Sequence, residues 1–311
     1  MNYREFKAYK NPSNYTIDLH IHSKNSDGSM TTGELMGEFE RLQIDIVSFT
    51  DHDCVDCYYD LKSSPFPMNK EISIVPGVEL SFLFHGELKD MLGYGIDVDV
   101  VDAFLKERYA YANRIQKQKE ILEEFKAVCR KEKLVFDEDI AIEIGHKGEA
   151  FNLMYKSLVK HPGNLEKYGF IAENSVFYRN YFANKQSGFF VDETFGLPAL
   201  EDVIAIIHKA GGSAFLAHPC AYSSTREKTG NFICEAADAG IDGLEVLHSS
   251  NMNDDVAFLQ EIAQKNKLFM CGGSDFHGDT KPSIQLIKGS GNIHVGFDLI
   301  KSWIGKTKII V

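Results

Sequence analysis

Apolar and polar residues along the chain follow two rhythms, and the switches between them mark three zones. From residue 15 to 99, short apolar runs alternate with helical patterns. Residues 16–22 (TIDLHIH), 44–50 (IDIVSFT) and 72–84 (ISIVPGVELSFLF, broken at Pro76–Gly77) predict strands. Residues 31–42 (TTGELMGEFERL) predict a helix opened by Thr31 or Thr32 near Glu34. Residues 101–195 change character. Over 101–133 Glu, Lys, Arg and Ala dominate, with Ile115, Leu122 and Phe125 spaced for one face of a long amphipathic helix. Farther on, nine Phe and Tyr fall within the 28 residues 168–195, enough for the core of a helical insert or for a few rings capping a substrate. From residue 197 the alternation returns. Residues 199–212 predict a helix ending at a Gly pair, 213–219 (SAFLAHP) a strand, 233–240 a helix, 241–249 (IDGLEVLHS) a strand and 254–266 a helix. Residues 268–278 (LFMCGGSDFHG) predict a last strand that runs into polar residues. Strands alternating with helices predict βα units on a parallel sheet. The expected architecture is one barrel-like α/β domain, residues 1–100 and 196–311, interrupted by a mainly helical insertion over 101–195.

Composition narrows the class. Of 311 residues, 44% are hydrophobic and 25% charged, as in a soluble globular protein with a core. The net charge of −12 argues against a non-specific nucleic-acid binder, which needs a basic face to displace counterions, so no long nucleic-acid partner is expected. It does not exclude an enzyme that gathers carboxylates around cations. The opening residues have no apolar core of a secretory signal, no run suits a membrane span, and six cysteines are too few for a disulfide scaffold. A cytoplasmic, reduced protein is expected, with no membrane partner. Cys54 and Cys57 form a C-x-x-C without a second pair, and read as ordinary buried thiols.

Chemistry concentrates at the ends of the predicted strands, where α/β folds place their sites. His20 and His22 are two apart on a strand and so share a face. Asp27 follows in the next loop, and Asp51, His52 and Asp53 close the second strand. Glu79 follows the Pro-Gly break, His218 ends its strand, His248 follows IDGLEVL, and Asp275 and His277 end the last strand. Six of the 11 histidines thus sit at strand ends beside acidic residues. Imidazole mixed with carboxylate and no thiolate suits Zn, Mn or Fe, and the ligands are too many for one tetrahedral ion, so two or three divalent metals are expected. Such a cluster generates hydroxide from a bridging water, which points to hydrolysis of a phosphate or amide.

In order, DLHIHSKNSDG, TDHD, PGVE, LAHP, GLEV and GGSDFHG resemble the motifs of the PHP (polymerase and histidinol phosphatase) family, in particular its stand-alone phosphoesterases. The resemblance implies a distorted (β/α)7 barrel, TIM-like, with up to three metals at its rim. It assigns His20, His22, Glu79 and Asp275 to one metal, and Asp27, His52 and His277 to a second. A third would be shared by Glu79 and His218. Relatives carry a His two residues before the LGY segment. Here KDMLGYGID has Asp90, an altered third position for which His85 is an alternative. The implied reaction is attack of a metal-bridging hydroxide on the phosphate ester of a small metabolite or nucleotide. His248 is the expected general acid or phosphate contact, with Asp275 and His277 beside it as catalytic residues. Arg114, Arg179 and Lys281 are candidate substrate-binding residues, and Asp51, Asp53 and Ser274 are candidates to orient ligands. Histidinol-phosphate phosphatase, an amidohydrolase, and a non-catalytic PHP-type binding module are the alternatives.

Overall fold

The computed structural model describes residues 2–8, 11–63, 71–108, 111–194, 196–222 and 225–310. The chain begins with β1 (Tyr3–Glu5), β2 (Ile17–Ile21), α1 (Thr32–Arg41), β3 (Ile46–Phe49) and α2 (Asp56–Ser63). It continues through β4 (Ser73–Ile74), β5 (Gly77–Phe84), β6 (Glu87–Tyr94) and α3 (Val98–Arg108). Helix α1 starts at a reciprocal cap: Thr31 Oγ1 accepts from the Glu34 N–H, and Glu34 accepts from the Thr31 N–H. Its buried residues Leu35, Met36 and Phe39 recur at helical spacing.

A second compact unit comprises Lys106–Gly196. It holds α4 (Tyr111–Lys131), α5 (Glu149–Val159), α6 (Pro162–Lys167) and α7 (Asn174–Phe177), which runs into a π-helical turn at Tyr178–Phe182. Of the helix expected over 101–133, the described residues are helical through Arg108 in α3 and from Tyr111 to Lys131 in α4; residues 109 and 110 lie outside the described residues. The aromatic-rich stretch forms this unit's own core. The rings of Phe125 and Phe151 each lie 4.8 Å from that of Phe182, and Phe177 lies 5.8 Å from Phe151. Phe170 stacks on Tyr181 at 3.6 Å. Phe195 lies outside the described residues.

The first unit resumes with α8 (Leu200–Lys209), β7 (Ser213–Leu216), α9 (Arg226–Ala239), β8 (Gly243–His248), α10 (Asn253–Lys265), β9 (Phe269–Gly273), α11 (Phe297–Ile304) and β10 (Lys308–Ile310). Its strands form two five-stranded sheets, β1-β10-β4-β3-β2 and β5-β6-β7-β8-β9. Pairings β2–β3–β4 and β7–β8–β9 are parallel, as expected. Pairings β5–β6 and β6–β7 are antiparallel. The reason is the turn between β5 and β6. His85 and Gly86 both take positive φ (48° and 77°), the tight hairpin geometry that sends a strand straight back beside its predecessor. The fold is therefore mixed α/β, and the described residues form two sheets rather than a continuous closed (β/α)7 barrel. Two isolated parallel bridges, Ile21 with Phe276 and His52 with Glu79, connect the sheets.

Both faces of β2 and β3 are buried, which explains their near-continuous apolar runs. Ile17, Leu19, Ile46, Leu92, Tyr94, Phe215, Cys271 and Trp303 form one core cluster. At the end of β9 a β-carbon on Gly273 would collide with the His20 backbone nitrogen and Cβ, so glycine lets this strand reach β2. No helix among the described residues is long and apolar enough to cross a membrane.

Candidate metal centre

The strand ends bring the expected ligands into one buried cluster. His20 and His22 come from the end of β2. Asp27 lies in the turn that follows, which is shaped by Asp51: its carboxylate accepts from Ser23 N–H (2.7 Å), Ser23 Oγ (2.7 Å) and Ser26 Oγ (2.6 Å). Asp51, a candidate to orient ligands, thus holds the turn that carries Asp27. His52 and Asp53 follow β3, and Asp53 accepts from the Ser81 N–H at 3.0 Å. Glu79 enters from the start of β5, His218 follows β7, and Asp275 and His277 follow β9. Asp53, His218 and Asp275 hold positive φ (46°, 27° and 58°), which is costly for residues other than glycine and clusters where side chains must be aimed.

Glu79 is central. Its Oε2 lies 3.3 Å from His20 Nε2, 3.3 Å from His22 Nε2 and 3.1 Å from His52 Nδ1, and its Oε1 lies 2.9 Å from His218 Nε2. Asp275 divides its carboxylate. Oδ1 faces His20 Nε2 (3.4 Å), His22 Nε2 (3.3 Å) and His277 Nδ1 (3.5 Å), whereas Oδ2 faces Lys281 Nζ (2.6 Å) and His248 Nε2 (3.3 Å). Asp27 approaches His277 Nε2 at 3.2 Å, His22 Nδ1 at 3.5 Å and His52 Nε2 at 4.0 Å. The donor sets with metal-like spacing are His22–Asp27–His52–His277, His20–His22–Asp275, His20–Glu245–His248, His20–Glu79–His218 and His52–Glu79–Asp90. His22 thus joins the Asp27 group as well as the His20 group.

The hydrogen bonds decide which histidine nitrogens face the cluster. His20 Nδ1 lies 2.8 Å from Glu245 Oε1, an acceptor, so Nδ1 carries the proton. His277 Nδ1 donates to the Asp275 carbonyl at 2.8 Å for the same reason. In both rings Nε2 is left to offer a lone pair, the arrangement by which carboxylates and carbonyls orient metal-binding histidines. His248 is the reverse. Its Nδ1 accepts from the Ser250 N–H at 3.1 Å, with Ser250 Oγ at 2.7 Å, so the neutral ring carries its proton on Nε2. His22 Nδ1, His218 Nδ1 and His277 Nε2 are buried without a hydrogen-bond partner. Orphaned imidazole nitrogens beside carboxylates are costly unless a cation satisfies them, so the residues fit divalent metals.

Electrostatics point the same way. Burial alone would lower His20, yet the charges of Glu245, Glu79 and Asp275 hold it well above its usual value. Burial also works against His22, but hydrogen bonds to Asp275 and Glu79 and the charge of Asp27 push it up to about 9. Against the effect of burial, neighbouring positive charge holds Glu79, Asp27 and Asp275 well below the carboxylate range: chiefly His52 and His20 for Glu79, His277 and His52 for Asp27, and Lys281 and His277 for Asp275. Burial lowers His248 and His277. The cluster is a concentrated negative site that demands compensating cations.

The remaining sequence candidates divide. Asp90 is buried, accepts from Ser81 Oγ (3.0 Å) and Tyr222 Oη (3.2 Å), and groups with His52 and Glu79. His85 is exposed and pairs with Glu235 at 2.8 Å, so it does not replace Asp90. Ser274 binds Asp18. Arg114 in α4 is partly buried and Arg179 in the π-helical turn is exposed, both within the second unit. Cys54 and Cys57 are buried and form no disulfide. The residue that sequence reasoning missed is Glu245, fully buried on β8, whose Oε2 also accepts from the His218 N–H at 2.8 Å. An acidic residue between apolar neighbours in the strand segment GLEVL was its signal.

No family model matches the chain. The chain is 25% identical over 265 residues to 3′,5′-nucleoside bisphosphate phosphatase of Chromobacterium violaceum, covering 84% of this chain and 87% of that protein. Over 273 residues it is 24% identical to the 5′-3′ exoribonuclease Rnm of Escherichia coli, covering 85% and 87%. Phosphoribosyl 1,2-cyclic phosphate 1,2-diphosphodiesterase of Eggerthella lenta is 25% identical over 269 residues, covering 84% and 94%. Among solved structures, a candidate metal-dependent phosphoesterase from Bifidobacterium adolescentis superposes with a TM-score of 0.66 at 21% identity, covering 96% and 98%. An amidohydrolase from Chromobacterium violaceum with bound sulfate gives 0.66 at 23% identity, covering 86% and 89%; at these identities the likeness concerns the fold. These sequence relatives are named for enzymes that act on phosphate esters, and the chain resembles them over 84–85% of its length.

Proposed function

We propose that this chain is a metal-dependent phosphoesterase that hydrolyses a phosphate ester of a nucleotide or short oligonucleotide end. The observation that carries the reading is the division of Asp275: one oxygen belongs to the histidine cluster, the other to Lys281 and His248. His20, His22, Asp27, His52, Glu79, His218, Asp275 and His277 would hold two or three divalent ions, Zn, Mn or Fe, with Asp90 contributing an oxygen ligand near His52 and Glu79. When bound, such ions supply an activated water and neutralise charge on phosphoryl oxygens. Lys281 Nζ and the Nε2–H of His248 converge on the same side of Asp275. From there Lys281 binds a phosphoryl oxygen, and His248 donates a hydrogen bond or proton toward the leaving oxygen. Arg114 and Arg179 are retained as substrate-binding candidates of the second unit. The two sheets, linked at Ile21–Phe276 and His52–Glu79, are consistent with the distorted (β/α)7 barrel.

Relatives named for nucleoside bisphosphates and for RNA favour nucleotides over histidinol phosphate. The test is a substrate panel with chelator-stripped protein reloaded with Mn, Zn or Fe. It compares nucleoside bisphosphates, 5′-phosphorylated short oligoribonucleotides, sugar phosphates and histidinol phosphate. Phosphate release from the nucleotides is expected to be strongest and metal-dependent. Equal rates on sugar phosphates would remove the nucleotide assignment, and no release from any ester would remove the hydrolase.

A further inference from the structure

Asp18 opens the D-L-H-I-H run but belongs to none of the candidate metal groups. Its side chain is fully buried, and all four of its bonds are to donors. Oδ1 accepts from the His20 N–H (3.3 Å) and the Ser274 N–H (2.9 Å), and Oδ2 accepts from Ser274 Oγ (2.7 Å) and the Ile287 N–H (2.7 Å). Three of these donors are backbone N–H groups, which cannot reverse, so the site requires an acceptor at both oxygens.

The partners matter as much as the count. Ser274 immediately precedes Asp275, whose φ is 58°, and Ile287 has φ of 62°, a conformation that a β-branched residue adopts only when its surroundings enforce it. One carboxylate therefore pins both ends of the stretch from Ser274 to Ile287. Within that stretch lie Asp275, His277 and Lys281. The same carboxylate holds the His20 N–H, so it ties the two histidine-bearing segments to each other.

We infer that Asp18 is a positioning residue that sets Asp275, His277 and Lys281 in register with His20, so that metal affinity depends on a side chain that touches no metal. The inference rests on reading Asp275 and His277 as ligands. Asn at this position keeps the shape but presents an NH2 to a donor on one side or the other. With the amide nitrogen at the Oδ2 position, Ser274 Oγ can adapt by accepting, whereas the Ile287 N–H loses its acceptor.

The experiment is calorimetric titration of chelator-stripped full chain with Mn²⁺ alone, comparing wild type, Asp18→Asn and Ile17→Ala. Ile17 neighbours Asp18 on β2 and is a core residue, so its truncation reports what instability of the strand does by itself. Asp18→Asn is expected to keep the far-ultraviolet circular dichroism and to weaken Mn²⁺ binding about tenfold or more, the size seen when a group supporting metal ligands is lost. Ile17→Ala is expected to lower the melting temperature and leave Mn²⁺ affinity within about twofold, because it reaches no ligand. Wild-type affinity in Asp18→Asn, or equal losses in both variants, overturns the inference. If Asp18→Asn does not fold, Ser274→Ala removes the hydroxyl donor alone; unchanged Mn²⁺ affinity there overturns it as well. Wild-type protein that takes up no Mn²⁺ would overturn the metal reading along with it.

Discussion

His20 Nδ1 lies 2.8 Å from Glu245 Oε1, and both side chains are fully buried. The pair does three things. It places the His20 proton on Nδ1, leaves Nε2 facing Glu79 and Asp275, and raises the basicity of the ring. Glu245 Oε2 is also committed, to the His218 N–H at 2.8 Å. Glu245→Gln disturbs one partner whichever way the amide turns: either the His218 N–H loses its acceptor, or His20 must shift its proton to Nε2, the nitrogen that faces Glu79 and Asp275. Metal affinity is expected to fall about 10- to 100-fold, read by titrating the stripped protein with Mn²⁺ or Zn²⁺. Wild-type affinity in this variant would show that the Glu245 contact does not orient a ligand.

Metal uptake should be strongly pH-dependent. His22 is held at about 9 in the folded chain, against an ordinary value near ~6.5. Because the folded value is raised, the protonated ring stabilises the stripped protein fully below the unfolded value. That contribution is lost as pH rises through about 9. A metal must displace the same proton, so the apparent affinity is expected to increase from pH 6.5 to 9, by up to about tenfold per pH unit for each proton released. Calorimetry in buffers of different ionisation enthalpy counts those protons. A flat affinity across this window, with no proton release, would contradict the arrangement around His22.

His248 and Lys281 should separate in kinetics. Both face Asp275 Oδ2, but only Lys281 is a fixed charge. Lys281→Met is expected to raise KM about tenfold, the loss of one charge-assisted hydrogen bond to phosphate, with less effect on kcat. His248→Asn is expected to lower kcat about 100-fold or more, as for a removed general acid, with metal stoichiometry unchanged. Loss of a metal ion on mutating His248 would make it a ligand and refute the proton placement inferred from Ser250.

How much of this was legible in the sequence follows from how local each feature is. The i, i+2 histidines of β2 and the polar residues ending each apolar run were readable, because strand periodicity and strand ends are local properties. The partition of His22 between two donor groups was not, since it depends on how β2 and β9 approach one another at Gly273. The strand β6 also went unread. Its sequence, ELKDMLGY, begins polar, and only the His85–Gly86 turn makes it the return arm of a hairpin. That unrecognised turn is why a parallel sheet was expected where a mixed one forms. Glu245 stood in plain view in GLEV, but a buried charge declares its role only through its partners.

The aromatic stretch of the second unit offers the last test. Phe182 is fully buried, with ring neighbours Phe125 and Phe151 both at 4.8 Å and Tyr178 at 5.7 Å. A ring packed on several sides acts as core, and truncating it leaves a cavity as well as forfeiting its transfer free energy. Phe182→Ala is therefore expected to destabilise this unit by about 3–5 kcal/mol. Denaturant unfolding should then show an earlier transition, with loss of the near-ultraviolet signal of the clustered rings. Were Phe182 instead a substrate-capping ring, the same substitution would leave the unfolding midpoint in place and raise KM. The two outcomes are opposite in both readouts, because a side chain cannot be both the centre of a core and free to meet a ligand.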